Sequence, residues 1–186
     1  MRSAIAMLLS TAALAATAGT AAPVASQSAG PPGKLGMWAG HWAYSGRIYE
    51  TPYSHAHSDS GSLDCNWVRN SGYMVCDYSS NDPPHNHLSV ITYDSAAKAY
   101  ALVLVIQDSK ASWYKLTQSG NTWTTSSEIS YKGKPLMSRD VFVFISPDKH
   151  ITRVQISADA GRSWTTTIET TAVKIVSMSR MGHGRL

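Results

Sequence analysis

The chain has 186 residues, of which 43% are hydrophobic and 15% charged, and its formal net charge at pH 7 is +4. This length suits one domain with a substantial core. The positive charge is mild, and the lysines and arginines are scattered among acidic residues, without a basic stripe interleaved with aromatics. We therefore expect no nucleic-acid partner.

Residues 1–25 have the pattern of a secretory signal peptide. Arg2 supplies the positive charge, an Ala/Leu-rich stretch follows over Ala4–Ala18, and small residues then offer cleavage points before Ser26. The apolar stretch is too short to span a bilayer, and no later stretch is long and apolar enough. We expect cleavage and export of a soluble chain to the periplasm or the medium, with no membrane span. The alternative is an uncleaved anchor.

The remaining chain predicts a flexible leader, one β-domain and a short tail. Residues 26–34 are rich in Ser, Gly and Pro and form the leader. A single helical turn is expected near residues 35–39. From there to residue 176, short alternating segments are separated by turn-forming residues every 8–12 positions, which predicts about ten strands. Residues 177–186 are expected to fray as a tail.

Tight turns between successive strands favour an all-β fold, an antiparallel meander of about ten strands. Closing the meander into a barrel is the simplest way to remove exposed strand edges, and a β-sandwich is the alternative. The segment Tyr100–Gln107 is almost wholly apolar, which predicts a strand covered on both faces.

The chain has two cysteines, and the segment between them predicts a hairpin. If Asn70 and Ser71 form its two-residue turn, Cys65 faces Cys76 on the neighbouring strand. In the oxidising surroundings of an exported protein, this predicts a disulfide between them. The spacing does not fit a reactive Cys-x-x-Cys pair.

Residues 157–164 read Ser-Ala-Asp-Ala-Gly-Arg-Ser-Trp, the S-x-D-x-G-x-x-W pattern known as an Asp box. Asp159 can bind backbone N–H groups of the turn, Gly161 can adopt a positive φ, and Trp164 can pack across the hairpin. The pattern occurs in repeated copies in sialidase propellers, whereas this chain has one copy. It therefore indicates a hairpin between Ile151–Ser157 and Ser163–Lys174, and not a glycosidase.

The order of four motifs resembles the lipocalin-like barrels, and in particular a bacterial family of unknown function. The motifs are Gly40-His41-Trp42, the segment Trp67–Gly72, Tyr93-Asp94 with Lys98 and Tyr100, and Asp159–Trp164. The resemblance covers residues 35–174 and implies that Trp42 plugs the barrel floor. It also implies a ligand cavity and no catalytic residues. The chain departs from the family after the Trp-containing strand, where a second Gly and an Arg are expected.

Several aromatic residues are candidates for a cavity lining. They are Trp42, Tyr44, Trp67, Tyr93 and Trp113. In a lipocalin-like barrel such residues can bind a small apolar ligand. The alternative is that they fill the barrel or cover its outside.

Two His-x-His pairs offer an alternative metal site. His55 and His57 form one pair, and His85 and His87 form the other. Residues i and i+2 of a strand point to the same side, so each pair can chelate a transition metal. We expect no metal, because nothing in the sequence forces the pairs together. We also expect no cofactor, since His150 and His183, the only histidines near a haem-binding position of related barrels, lack a supporting motif.

The sequence contains no G-x-S-x-G elbow, H-E-x-x-H helix or Walker loop, which disfavours an enzyme. We therefore favour an exported, non-catalytic barrel that binds a small apolar or amphipathic molecule. The alternative is an envelope or secreted interaction module with a filled barrel. The sequence does not predict the oligomeric state.

Overall fold

The fold is a closed barrel of ten antiparallel strands in chain order. A computed structural model describes residues 31–68, 71–81, 86–106 and 111–175. Its strands are β1 (Gly40–Ile48), β2 (His57–Trp67), β3 (Tyr73–Ser80), β4 (His87–Asp94), β5 (Ala99–Ile106), β6 (Ser112–Ser119), β7 (Thr122–Tyr131), β8 (Lys134–Ser146), β9 (Lys149–Ser157) and β10 (Thr165–Lys174). Each strand pairs with the next, and β10 pairs with β1. The predicted meander barrel is confirmed, whereas the predicted signal peptide and tail lie outside the described ranges.

A short helical segment closes one end of the barrel. Helix α1 (Pro31–Lys34) begins inside the predicted leader and continues as a 3-10 turn over Leu35–Trp38, within the segment where a helical turn was expected. Leu35 and Trp38 are buried in the core. We call this end the floor and the opposite end the mouth. Within the described ranges, no helix has the length and apolar character needed to cross a membrane.

The strands place alternate side chains inside and outside the barrel. On β1, Trp42, Tyr44 and Ile48 are buried while the residues between them are more exposed. This follows from the two-residue period of a strand. The inward side chains near the floor belong to the buried core, and Trp42 is fully buried there, where the G-x-W resemblance places it.

Strand β5 differs from its prediction. The inward Leu102 is buried, but on the outward side Val105 is 37% exposed, and Trp113 of the neighbouring β6 is 74% exposed. Described residues therefore do not cover the outer face of β5. The prediction that both faces are covered is wrong, because an apolar run does not require a second layer.

The two cysteines lie directly opposite each other on β2 and β3. They form a disulfide with an S–S distance of 2.04 Å and a Cα–Cα distance of 4.0 Å. The predicted disulfide is confirmed. Both cysteines are buried, so the bridge joins the two strands on the inside of the barrel.

The Asp box forms the hairpin between β9 and β10. The Asp159 carboxylate accepts hydrogen bonds from the Ser163 N–H at 2.9 Å and from the Ser163 hydroxyl at 2.6 Å. The Ser157 hydroxyl donates to Asp159 at 2.7 Å, and Gly161 has a φ of 86°. The Trp164 indole donates to the Gly161 carbonyl at 3.0 Å. The carboxylate therefore serves as the hydrogen-bond acceptor that orders this turn.

Candidate ligand cavity

The barrel encloses a cavity of about 300 Å³ between the floor and the mouth. Most of its wall is aliphatic or aromatic. The apolar lining residues include Leu63, Ile91, Leu102, Leu104, Phe142, Val154, Ile168 and Ala172. Ile106, which also lines the cavity, is partly exposed at the mouth end of β5. This is the composition of a small-molecule pocket, which needs an apolar wall and a few placed polar groups.

Aromatic rings separate the cavity from the floor. The Trp38 ring meets the edges of Phe142 and Phe144, with centroid distances of 4.7 Å and 5.1 Å. His150, at the start of β9, lies beside them, with its ring centroid 4.8 Å from that of Trp42. Trp38 and His150 contribute to the cavity wall. The lower end of the cavity is therefore a rigid aromatic surface that includes one imidazole.

His150 is a neutral imidazole in an unusual setting. Its side chain is 3% exposed, and its Nδ1 has no hydrogen-bond partner among the described residues. Burial, with a smaller contribution from the nearby charge of Lys174, lowers the pKa of His150 to about 4. Buried polar atoms normally have partners, so the unpaired Nδ1 of His150 is an exception within the packed aromatic floor.

Three stacked rings form one side of the upper cavity. Tyr44 stacks on Tyr78 with a centroid distance of 4.6 Å, and Tyr78 stacks on His87 at 4.4 Å. Gly61 lies opposite Tyr44 on β2, and a Cβ atom there would lie 2.7 Å from the Tyr44 oxygen. Glycine at this position therefore allows the Tyr44 ring to lie against the wall.

The hydroxyls of the two stacked tyrosines lie near a buried carboxylate. Asp59 is 6% exposed and accepts a hydrogen bond from the Ser80 hydroxyl at 2.7 Å. The hydroxyls of Tyr44 and Tyr78 also point to it, at 3.4 Å and 3.5 Å. Burial raises the pKa of both tyrosines, so they remain protonated donors at neutral pH. Three hydroxyl groups thus compensate the desolvation of Asp59.

A second carboxylate lines the cavity from another wall. Asp140 lies on β8, four strands from β2 around the barrel. Its carboxylate accepts one side-chain hydrogen bond, from the Thr125 hydroxyl at 3.2 Å. Burial raises the pKa of Asp140, and the Thr125 hydrogen bond opposes this shift. Asp140 is therefore less well compensated than Asp59.

The loop between β1 and β2 connects to a distant hairpin at the mouth end. The hydroxyl of Tyr131, in the β7–β8 hairpin, donates to the Pro52 carbonyl at 3.1 Å. The rings of Tyr53 and Tyr131 meet edge to face, with centroids 5.2 Å apart. Because β1 and β7 are four strands apart, this loop reaches over part of the mouth.

Of the aromatic residues suggested by the sequence, Tyr44 is the one that lines the cavity. Trp42 lies beneath it, in contact with His150, and Trp67 packs at the edge of the core. Tyr93 contacts the ring of Tyr100 at a centroid distance of 5.0 Å, away from the cavity. Trp113 is exposed on the outer surface. The barrel therefore does not bring these five residues together.

The cavity wall contains the polar residues Asp59, Asp140 and His150, which the sequence did not predict to share one site. Two-residue alternation contains a signal for them, because each shares its strand parity with apolar inward residues, such as Asp140 with Phe142 and Phe144. The alternation predicts which residues lie on the same side of one strand. It does not predict that residues of different strands meet across the barrel.

The histidine pairs are dispersed. His55 has a side chain that is 99% exposed and lies 3.4 Å from Glu50, while His57 bonds the His55 carbonyl at 2.9 Å. His87 lines the cavity, and His85 lies outside the described residues. Leu63 on β2 pairs with Tyr78 on β3, which pairs with His87 on β4. Because His57 precedes Leu63 by six residues on β2, His87 lies about 20 Å from His57 along the strand direction. The described residues contain no group of three or more His, Cys, Asp or Glu suited to a metal ion.

Comparison with solved structures shows a neighbour of the same fold. The crystal structure of Rv2717c from M. tuberculosis aligns with a TM-score of 0.52 and 12% sequence identity, covering 79% of this chain and 99% of that one. At this identity the likeness concerns the barrel fold alone. No family model and no curated protein sequence matches the chain.

Proposed function

We propose that this protein is an exported, lipocalin-like, non-catalytic barrel that binds a small amphipathic molecule in its central cavity. The observation that carries the proposal is a cavity of about 300 Å³ whose mostly apolar wall includes the polar residues Asp59, Asp140 and His150. Protein interiors are close-packed and their polar atoms are normally bonded. A bound molecule would account for both the space and the incomplete hydrogen bonding of the Asp140 carboxyl in the wall.

The lining defines the general nature of this molecule. Aliphatic and aromatic side chains form most of the wall and favour an apolar body, while a few polar groups favour one or two polar substituents. The alternative of a filled barrel fits less well, because the large aromatic residues gather at the floor and leave the space above them open.

Export is the second part of the proposal. It is supported by the signal-peptide pattern of residues 1–25 and by the Cys65–Cys76 disulfide, which is typical of oxidising compartments. Expression of the full chain in a bacterial host, followed by fractionation and intact-mass measurement, tests it. We expect a mature chain that begins between residues 19 and 26. A full-length product in the cytoplasm would contradict export.

Ligand binding can be tested with N-phenyl-1-naphthylamine, a dye that is uncharged at neutral pH and fluoresces in apolar surroundings. We expect saturable enhancement at one dye per protein. Leu104→Trp should remove it by filling the cavity, because Leu104 lines the wall. Val105→Trp is the matched control, since the neighbouring Val105 lies on the outer face of the same strand.

The two variants separate cavity binding from adsorption to the surface. Thermal unfolding of each establishes that the barrel remains folded. Loss of enhancement in Leu104→Trp with retention in Val105→Trp supports the proposal. Absence of saturable binding to the wild type, or equal enhancement in both variants, would overturn it.

A further inference from the structure

The charged groups that line the cavity are unbalanced. Asp59 and Asp140 contribute carboxylates, and none of the described lining residues is a lysine or an arginine. His150 is neutral because burial lowers its pKa to about 4. The remaining base in the wall is His87, which stacks on Tyr78. Burial raises the pKa of Asp140, and a cation beside it would favour its ionised form, so the upper cavity favours a ligand of positive charge over one of negative charge.

The two carboxylates differ in how many hydrogen-bond donors surround them. Asp59 has three hydroxyl groups around it, at 2.7 Å, 3.4 Å and 3.5 Å. Asp140 has the single Thr125 hydroxyl, and within the described chain no ion pair or other side-chain donor compensates it. An ionised carboxylate accepts up to about four hydrogen bonds. A cationic ligand would therefore donate the hydrogen bonds that Asp140 lacks.

Aromatic surfaces near the carboxylates suit the same ligand. The stacked rings of Tyr44 and Tyr78 lie on the wall that carries Asp59, and Phe142 follows Asp140 on the inward side of β8. Aromatic faces attract ammonium groups, most strongly where water is excluded. The combination of a buried carboxylate and aromatic faces recognises an ammonium and the hydrocarbon next to it.

The charge and the apolar surface at the floor favour one orientation of this ligand in the cavity. The Lys174 ammonium lies 4.6 Å from the centroid of the Trp42 ring, below the cavity. A cation at this end repels a second cation, whereas Trp38 and Phe142 offer apolar surface. The ammonium of a ligand would therefore lie in the upper half of the cavity, with its apolar body toward the floor.

We propose that the cavity ligand is an amphipathic amine, bound as the ammonium ion with Asp140 as its counter-ion and with its apolar body against the aromatic floor. This inference rests on the proposed function and adds the chemical class of the ligand. Asp140 acts as a binding residue, and Asp59 contributes to the negative potential on the opposite wall.

Three probes with the same ring system and different end groups test the proposal. They are 2-(1-naphthyl)ethylamine, 1-naphthaleneethanol and 1-naphthaleneacetate, titrated calorimetrically into the mature protein at pH 7.5. We expect the amine to bind about tenfold more tightly than the alcohol, because its ammonium can pair with the Asp140 carboxyl that is already removed from water, and the carboxylate to bind most weakly.

Substitution of the counter-ion gives the second arm. Asp140→Asn should reduce the affinity for the amine to that for the alcohol, while leaving the alcohol itself little changed. Asp77→Asn is the matched control, since it removes the same charge from the exposed outer face of β3. The comparison of probes on the wild-type protein needs no variant, so it remains decisive if Asp140→Asn does not fold.

The outcomes separate this inference from the proposed function. Binding of the alcohol as tightly as the amine, or preference for the carboxylate, overturns the amine proposal and leaves a ligand-binding barrel. An amine preference that survives Asp140→Asn overturns the role of Asp140. Absence of binding by all three probes and by the neutral dye overturns both proposals.

Discussion

The indole nitrogen of Trp42 donates a hydrogen bond of 2.9 Å to the backbone carbonyl of Trp38. This bond joins the first strand to the 3-10 turn that closes the floor. The Trp42 ring is fully buried, and the Lys174 ammonium lies over its face. One side chain thus fills the barrel end, fixes the closing helix and carries a cation–π contact.

Two substitutions that shorten the Trp42 side chain should destabilise the fold to different extents. Trp42→Phe removes the hydrogen bond and leaves a buried carbonyl unpaired, which costs about 1–3 kcal/mol. Trp42→Ala also creates a cavity, and the free energy of unfolding should fall by about 3–5 kcal/mol. Urea denaturation measures both. Trp113→Ala is the control, because an exposed tryptophan should change stability by less than about 0.5 kcal/mol. Equal effects at the two positions would contradict this role of Trp42.

The disulfide should contribute measurably to stability. The double variant Cys65→Ser/Cys76→Ser removes the covalent constraint on the unfolded chain, and the free energy of unfolding should fall by about 2–4 kcal/mol. Denaturation of the wild type with and without a reducing agent supplies the comparison. The reduced wild type and the double variant should have similar midpoints, and a reductant-insensitive wild type would refute the prediction.

Asp159 should make the barrel sensitive to strong acid. Hydrogen bonds from Ser163 and Ser157 lower the pKa of Asp159 from 3.8 to about 2. A carboxyl with a depressed pKa contributes stability above its unfolded pKa, and this contribution is lost as the pH falls from about 4 to below 2. Asp159→Asn should lower stability at pH 7 and flatten its dependence over that interval, as measured by thermal unfolding. An unchanged acid profile would contradict the assignment.

His150 should act in a higher pH window. Its pKa is lowered from 6.5 to about 4, so the unfolded state takes up a proton at a higher pH than the folded state. Stability is therefore complete above pH 6.5 and falls toward pH 4, by about 3 kcal/mol at most. The difference between wild type and His150→Gln isolates this contribution from those of the other titrating groups. Parallel stability profiles of the two proteins would refute it.

The Cys65 and Cys76 pairing shows why much of the fold could be read from local sequence. Two-residue alternation predicts strands, turn-forming residues fix where they reverse, and the turn then dictates which residues face each other. The Asp box works in the same way, since its acceptor and donors lie within a few residues. These features depend on short-range geometry, so the meander, the disulfide and the final hairpin were predictable.

The segment around β5 shows where local pattern fails. Leu104 and Val105 are both apolar, yet Leu104 lines the cavity and Val105 lies partly exposed on the outside. Trp113 is likewise an outer-surface residue in spite of its size. When both faces of a strand are apolar, the sequence contains no polar contrast from which the inward face can be identified.

By itself the sequence determined the strands, their order, the disulfide and the Asp-box turn. The tertiary structure alone decided that the barrel contains a cavity, that Tyr44 is its one predicted lining residue, and that Asp59, Asp140 and His150 share its wall. These residues lie on β2, β8 and β9 and meet only because the sheet closes. Their convergence depends on closure of the barrel and on the volume that the packed floor leaves empty. Neither the closure nor this volume is encoded in any local stretch of the chain.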